Sequence, residues 1–223
     1  MARENGLLKN VYLWMTAGLT LTAVVAYAIG SNPALLSRIY SSGMYLLLVI
    51  AQLAVVFILS ARLHRMSARS AVISFALYSV ITGAMLSSIV AIYTGAMVSR
   101  AFFTTALMFG GMSLYAMTTK RNLSNWSSIF VMALWGMIAA SILNLIFHSE
   151  GLYYIMSFIG VVLFCGITAW DTQKIISLNN SYGYNVDEET YVKLSILCAL
   201  ELYLDFINIF LYLIRIFGNS RRN

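Results

Sequence analysis

The chain has 223 residues, 61% of them hydrophobic and 10% charged, with a formal net charge of +6. An ordinary soluble domain devotes about a quarter of its residues to charge, so that class is excluded. The basic residues sit at the ends of apolar runs rather than on one face, which excludes a nucleic-acid partner and matches a membrane-topology pattern.

Seven apolar runs are each near the length that a bilayer requires, at 11–29, 45–62, 71–93, 102–117, 129–147, 153–170 and 191–217. They are long and do not alternate in polarity, which selects helices over a β-barrel. With one proline and no low-complexity tract, the expectation is an all-α, polytopic membrane protein. It is a single seven-helix transmembrane domain over residues 1–223.

The first run follows Arg3 and Lys9. Ala26-Tyr27-Ala28 fits a small-x-small cleavage site, but the run is long for a signal peptide, so no cleavage is expected. Ser31-Asn32-Pro33 breaks the chain. The second run ends at Arg62, before a connection carrying His64, Arg65 and Arg69. On the third, Gly83-Ala84 and Ser87-Ser88 put small residues four apart, a spacing that admits a close neighbour. The fourth run is the shortest, and Gly110-Gly111 predicts a bend or tight packing. Lys120 and Arg121 follow it. The sixth helix is expected to run past Asp171 through Lys174 toward Leu178. The connection from 178 to 189 contains Asn179-Asn180-Ser181 and Gly183. Its closing Asp187-Glu188-Glu189 suits the positive end of the seventh helix.

With the N-terminus inside the cell, nine Lys and Arg fall on the cytoplasmic side and five on the other. The expected arrangement is therefore multi-pass in the plasma membrane, with a cytoplasmic N-terminus. Trp126, Tyr153, Tyr154 and Tyr191 lie near span ends, as an aromatic belt does. Cys165 and Cys198 lie inside apolar runs and read as packed small side chains. His64 and His148 read as solvated loop residues.

The acids carry the functional signal. Asp205 lies in the middle of the last run, where an Asp costs roughly 3 kcal/mol on insertion scales. Glu201 precedes it by one turn, and Asp171 ends the sixth run. Helical spacing aligns Cys198, Glu201, Asp205, Asn208 and Tyr212 in one stripe, with Thr168, Asp171, Thr172 and Gln173 as a partner seam. Lipid cannot satisfy such a seam, so it faces the bundle interior or water. Burial and a like charge both favour the neutral acid, so facing carboxylates share a proton and titrate as a unit. Such a pair is a pH sensor. Its deprotonated form repels or takes up a cation, and Asp171, Asp205, Glu201 and Asn208 offer the oxygens that calcium prefers. The structural alternative has the acids bonded to Arg62, a tyrosine or backbone, holding helices together. Arg62 itself reads as a positive-inside anchor or as a latch on Asp171 or Asp205.

At Leu202-Tyr203-Leu204-Asp205-Phe206-Ile207-Asn208, followed by Arg215-Ile216-Phe217-Gly218, the chain resembles the Bax inhibitor family, the transmembrane Bax-inhibitor-motif proteins. Trp170-Asp171-Thr172-Gln173-Lys174 agrees, as do Tyr78-Ser79 through Gly83 to Tyr93-Thr94 and Val11-Tyr12 to Tyr27. The resemblance covers nearly the whole chain and looks bacterial. It implies seven helices with the last one central, and a pH-sensitive calcium leak gated by paired aspartates. These map to Asp171 and Asp205, and the latch of some members maps to Arg62. Some members carry a further acid in the second helix. Here Ile50-Ala51-Gln52 has none, so the path that calcium takes is expected to differ.

The leading reading is thus a calcium or cation leak channel, with Asp171 and Asp205 as pH sensor, gate and calcium ligands, and Glu201 and Asn208 as auxiliary pathway residues. Its partners are the bilayer, calcium and protons. No enzymatic activity, resident cofactor or nucleic acid is expected. The alternative is a non-conducting regulator that binds a membrane quality-control protease or a cell-death protein. An intramembrane aspartyl protease is disfavoured, since Asp205 lacks the Gly-x-Gly-Asp context. A retinal protein is disfavoured too, since Lys193 starts the last helix rather than lying midway along it.

Overall fold

A computed structural model describes residues 6–41, 43–182 and 187–219, apart from a few side chains that include His64. The expectations that fall on Arg3, Gly183, Arg221, Arg222 and the His64 side chain lie outside the described residues. The described chain is helical: α1 (Gly6–Gly30), α2 (Pro33–Ser41), α3 (Met44–Arg62), α4 (Ala68–Ile92), α5 (Gly95–Thr118), α6 (Ser127–Phe147), α7 (Glu150–Tyr182) and α8 (Glu188–Asn219). Short 3-10 turns at Leu63–Arg65 and Leu123–Trp126 precede α4 and α6. Every one of these helices except α2 is long and apolar enough to cross a membrane, giving seven spans as expected.

The chain forms two compact units, 1–95 with 178–203 and 96–177 with 204–223. The N-terminal half of α8 therefore packs in the first unit and its C-terminal half in the second.

In the first unit, α1 lies against α4. Hydrocarbon offers no hydrophobic drive for one apolar helix to leave lipid for another, so close backbone approach has to supply the attraction. Small residues provide it. A methyl group on Gly83 would stand 2.7 Å from the Thr22 carbonyl oxygen, and one on Gly30 would stand 2.7 Å from the Ser87 carbonyl oxygen. The close neighbour expected at Gly83 is thus α1.

Helix α2 was not foreseen. Ser31-Asn32-Pro33 does interrupt the first span, but it also starts a new helix. The Asn32 Oδ1 accepts from the Ala34 and Leu35 amides at 3.1 and 3.3 Å, and Pro33 occupies the first turn, where its missing N–H costs nothing. Tyr40 fixes α2 by donating its hydroxyl to the Met85 carbonyl at 2.6 Å and stacking on Tyr45.

At the other end of this unit, Asp187 caps α8. Its Oδ2 accepts the Thr190 amide at 3.1 Å, and Glu188 and Glu189 fill the first turn, as expected of acids at a helix N-terminus. Bonding from Thr190 holds the Asp187 carboxyl below its ordinary value. Glu189 also accepts the Ala68 amide at 3.3 Å, tying the start of α4 to the start of α8.

Two expectations about the connections are corrected. Asn179, Asn180 and Ser181 are not loop, because α7 continues to Tyr182. The Asn179 Oδ1 accepts the Leu7 amide at 3.3 Å, satisfying one of the open N–H groups that begin α1. The extension of the sixth span past Asp171 was expected and goes further than Leu178.

In the second unit, α5 is an unbroken helix of 24 residues, longer than the apolar run. A hydropathy reading drops Ser99 and Arg100, yet the helix carries them, and Thr105 returns its hydroxyl to the Ala101 carbonyl at 2.8 Å. Gly110 and Gly111 have no neighbour within 4 Å of a Cβ position, so the expected bend or tight packing is absent at both. Helix α6 packs on α7 through Met137, Met156, Leu163 and Ile167, with the Phe130 ring over Gly166. Most of α6 is exposed, including Trp135, Leu145 and Phe147, as befits a lipid-facing span. His148 ends α6 in a left-handed conformation (φ 48°) and is exposed, in line with a solvated loop residue.

Candidate functional site: buried acids on α7 and α8

Helices α7 and α8 run antiparallel within the second unit. Arg215 lies over the Tyr153 ring at 4.9 Å, the Tyr212 ring closes on Gly160, and Asp205 lies within electrostatic reach of the Cys165 thiol. Gly160 opposite Tyr212 sets the register. Seven residues along each helix, Ile167 stands opposite Asp205. Asp171 is four residues further, about 6 Å along the axis at 1.5 Å per residue.

Both acids are buried, Asp171 at 6% exposure and Asp205 at 3%. The Asp205 Oδ2 is fully enclosed. On α7 the buried polar face is Thr168, Asp171 and Thr172. Thr168 returns its hydroxyl to the Phe164 carbonyl at 2.7 Å, and Thr172 meets Ser113 of α5 at 3.4 Å. Gln173 leaves the expected seam and turns to the α5–α6 connection. Its Oε1 accepts the Leu123 amide at 2.7 Å, and its Nε2 donates to the Arg121 carbonyl at 2.8 Å. Asp171, half a turn from Gln173, therefore lies toward the end of this unit where α5 joins α6, and Asp205 lies deeper.

The stripe expected on α8 is buried at Cys198 and Asp205 and half-buried at Glu201, Asn208 and Tyr212. Asn208 donates its amide back to the Leu204 carbonyl at 2.8 Å, so one of its donors serves its own helix. Glu201 packs in the first unit, with its Oε2 fully enclosed. Arg62 belongs to that unit also and is exposed at the end of α3. Cys165 and Cys198 are buried thiols outside any disulfide, as packed small side chains are. Among the described residues no three His, Cys, Asp or Glu side chains gather as a metal cluster.

A second polar assembly, in the first unit, escaped sequence reasoning. Tyr203 is fully buried on α8, and its hydroxyl lies 2.6 Å from the Thr22 hydroxyl, which donates to the Ser79 carbonyl at 3.0 Å. The rings of Phe75 and Tyr78 meet the Tyr203 ring edge-on, each at 5.8 Å. Gln52 of α3 donates to the Tyr78 hydroxyl at 2.9 Å and to Thr82 at 3.1 Å. Gln52, noted in the sequence only for the carboxylate it lacks, thus joins α3 to α4. The available signal was Tyr78 and Thr82, one turn apart in an apolar helix.

The comparisons with known proteins agree with this architecture. A sequence model of the family described as "Inhibitor of apoptosis-promoting Bax1" matches residues 4–222. The inner membrane protein YbhL of Escherichia coli K12 is 46% identical over 96% of this chain and 92% of its own length. An uncharacterised protein of Borreliella burgdorferi is 39% identical over 99% of this chain and 94% of its own, and YrjE of Lactococcus lactis is 37% identical over 98% and 93%. With seven membrane-length helices, buried acids on the last two, and a family match over nearly its whole length, the chain belongs to the Bax inhibitor family of membrane proteins.

Proposed function

We propose that this protein is a pH-sensitive cation leak of the inner membrane, with calcium as its cargo and Asp171 and Asp205 as sensor and gate. The observation that carries the reading is the burial of two carboxylates, on consecutive membrane helices of one compact unit, at 6% and 3% exposure. An acid at that depth is expensive and is functional by default. With one of the two protonated, the pair carries a single charge and stays closed. Losing that proton leaves two like charges, which separate or admit a cation.

Calcium takes six to eight oxygens, so two carboxylates form only part of its shell. Asn208, carbonyl groups and water supply the remainder, and Glu201 adds a charge further along α8. The N-terminus is cytoplasmic, in keeping with the Lys and Arg count.

The test is calcium uptake into proteoliposomes across a pH series. The unaltered protein gives flux that changes with pH, while Asp171→Asn and Asp205→Asn each flatten that dependence. Unchanged flux and pH dependence in both variants refute the gate. The family description names inhibition of a partner, which favours a second reading, a non-conducting regulator. Capture of a membrane protease by both Asn variants, without calcium flux from any form, supports that reading.

A further inference from the structure

The Gln173 side chain bonds to the α5–α6 connection in both directions. A single side-chain amide accepts from Leu123 N–H at 2.7 Å and donates to Arg121 C=O at 2.8 Å. This copies the pairing that a neighbouring strand would offer and fixes the connection at two points. The connection between α5 and α6 is otherwise mostly exposed. Lys120, Arg121, Asn122 and Ser124 are exposed, and Leu123 is half-buried. Arg121 N–H bonds to Thr119 and Ser124 N–H to Asn122 within the connection, while Thr119 N–H bonds back to the Tyr115 carbonyl of α5 at 2.9 Å.

Next to Gln173 on α7 is a buried polar floor. Ser113, 4% exposed, meets Thr172, which is fully buried, and Asp171 adjoins Thr172 on α7. A buried polar floor close to a helix end is open to water through that end, because the lipid-facing sides are apolar. We propose that Gln173 is a positioning residue. It straps residues 119–126 across the end of the second unit, and release of the strap opens the floor at Ser113, Thr172 and Asp171 to water and cations. This rests on the proposed gating role of Asp171 and adds the place where access to it is controlled. Lys120 and Arg121 ride on the strap, so the closed form also sets positive charge in the path of a cation.

Ser113→Cys places a reporter thiol on the floor, read as the rate of labelling by a charged, membrane-impermeant maleimide in sealed vesicles. Native Cys165 and Cys198 are buried, and the chain with Ser113 retained sets their background. Gln173→Leu removes both bonds to the strap. Gln173→Glu keeps the acceptor for Leu123 and loses the donor to Arg121. Labelling should rise roughly tenfold or more with Gln173→Leu and by less with Gln173→Glu, since each lost bond favours local opening. Equal rates for Gln173, Gln173→Leu and Gln173→Glu in monodisperse protein overturn the strap. If Gln173→Leu does not yield folded protein, the Gln173→Glu comparison decides alone.

Calcium flux measured on the same vesicles separates the two ideas. Faster labelling without flux in any form keeps the strap and removes the channel. Flux that follows pH with no change in labelling keeps the channel and removes the strap.

Discussion

The Tyr203–Thr22 contact gives the most direct quantitative prediction. The two hydroxyls lie 2.6 Å apart at 0% and 3% exposure, joining α8 to α1 where no water competes. Tyr203→Phe removes that bond and the hydroxyl's further contacts with Thr82 and Ser79, and leaves the ring packed edge-on to Phe75 and Tyr78. Its expected cost is about 0.5–1.5 kcal/mol. Thr22→Val removes the same bond and the one to the Ser79 carbonyl, so it costs about 1–2 kcal/mol. The double variant should cost less than the sum of the two single ones, because the shared bond is lost only once. The coupling is then about 0.6 kcal/mol, the average for interhelical bonds in membranes, with an upper end near about 1.7 kcal/mol. Tyr203→Leu also takes the ring away and should cost about 2–4 kcal/mol. Midpoints of reversible unfolding in mixed micles of detergent and lipid read all four variants. Strictly additive single effects would refute the bond as a stabilising link between α1 and α8.

Two further predictions come from the same structure. Gly83→Ala should destabilise by about 1–3 kcal/mol in that assay, because the new methyl meets the Thr22 carbonyl backbone, while Gly111→Ala, into open space, should be neutral or stabilise by up to about 1 kcal/mol; equal effects at the two positions would contradict the α1–α4 packing. Asp187 has its folded-state pKa lowered by bonding from Thr190, so its contribution to the cap is complete above its ordinary value of 3.8 and is lost as pH falls through the lowered one. Protection of the Thr190 amide from hydrogen exchange should therefore hold above about pH 4 and drop as pH falls below it, with Asp187→Asn weakened throughout, and a flat profile in the unaltered chain would dispose of the cap.

Much of the candidate site was legible because acids in long apolar runs are rare and expensive. Asp171 and Asp205 stand out by that criterion alone, and both are buried on adjacent spans. Gln173 was visible only as a neighbour of Asp171. Its bonding to Arg121 and Leu123, 50 or so residues earlier, leaves no local trace. Tyr203 looked like one more aromatic in a run of leucines. Its role depends on Thr22, which is 181 residues away in the chain.

The amino-acid sequence by itself determined the membrane class, the seven spans and their acids, since crossing hydrocarbon demands long apolar segments and penalises every charge. It also determined the cap at Asp187, because a helix N-terminus is satisfied within a few residues. Only the tertiary structure decided which face of each helix meets protein and which meets lipid. Leucine is as much at home against a lipid tail as against another leucine, so hydropathy does not distinguish the two. That is why Gly83 lies against a neighbouring backbone while Gly110 and Gly111, equally small and equally apolar, face open space.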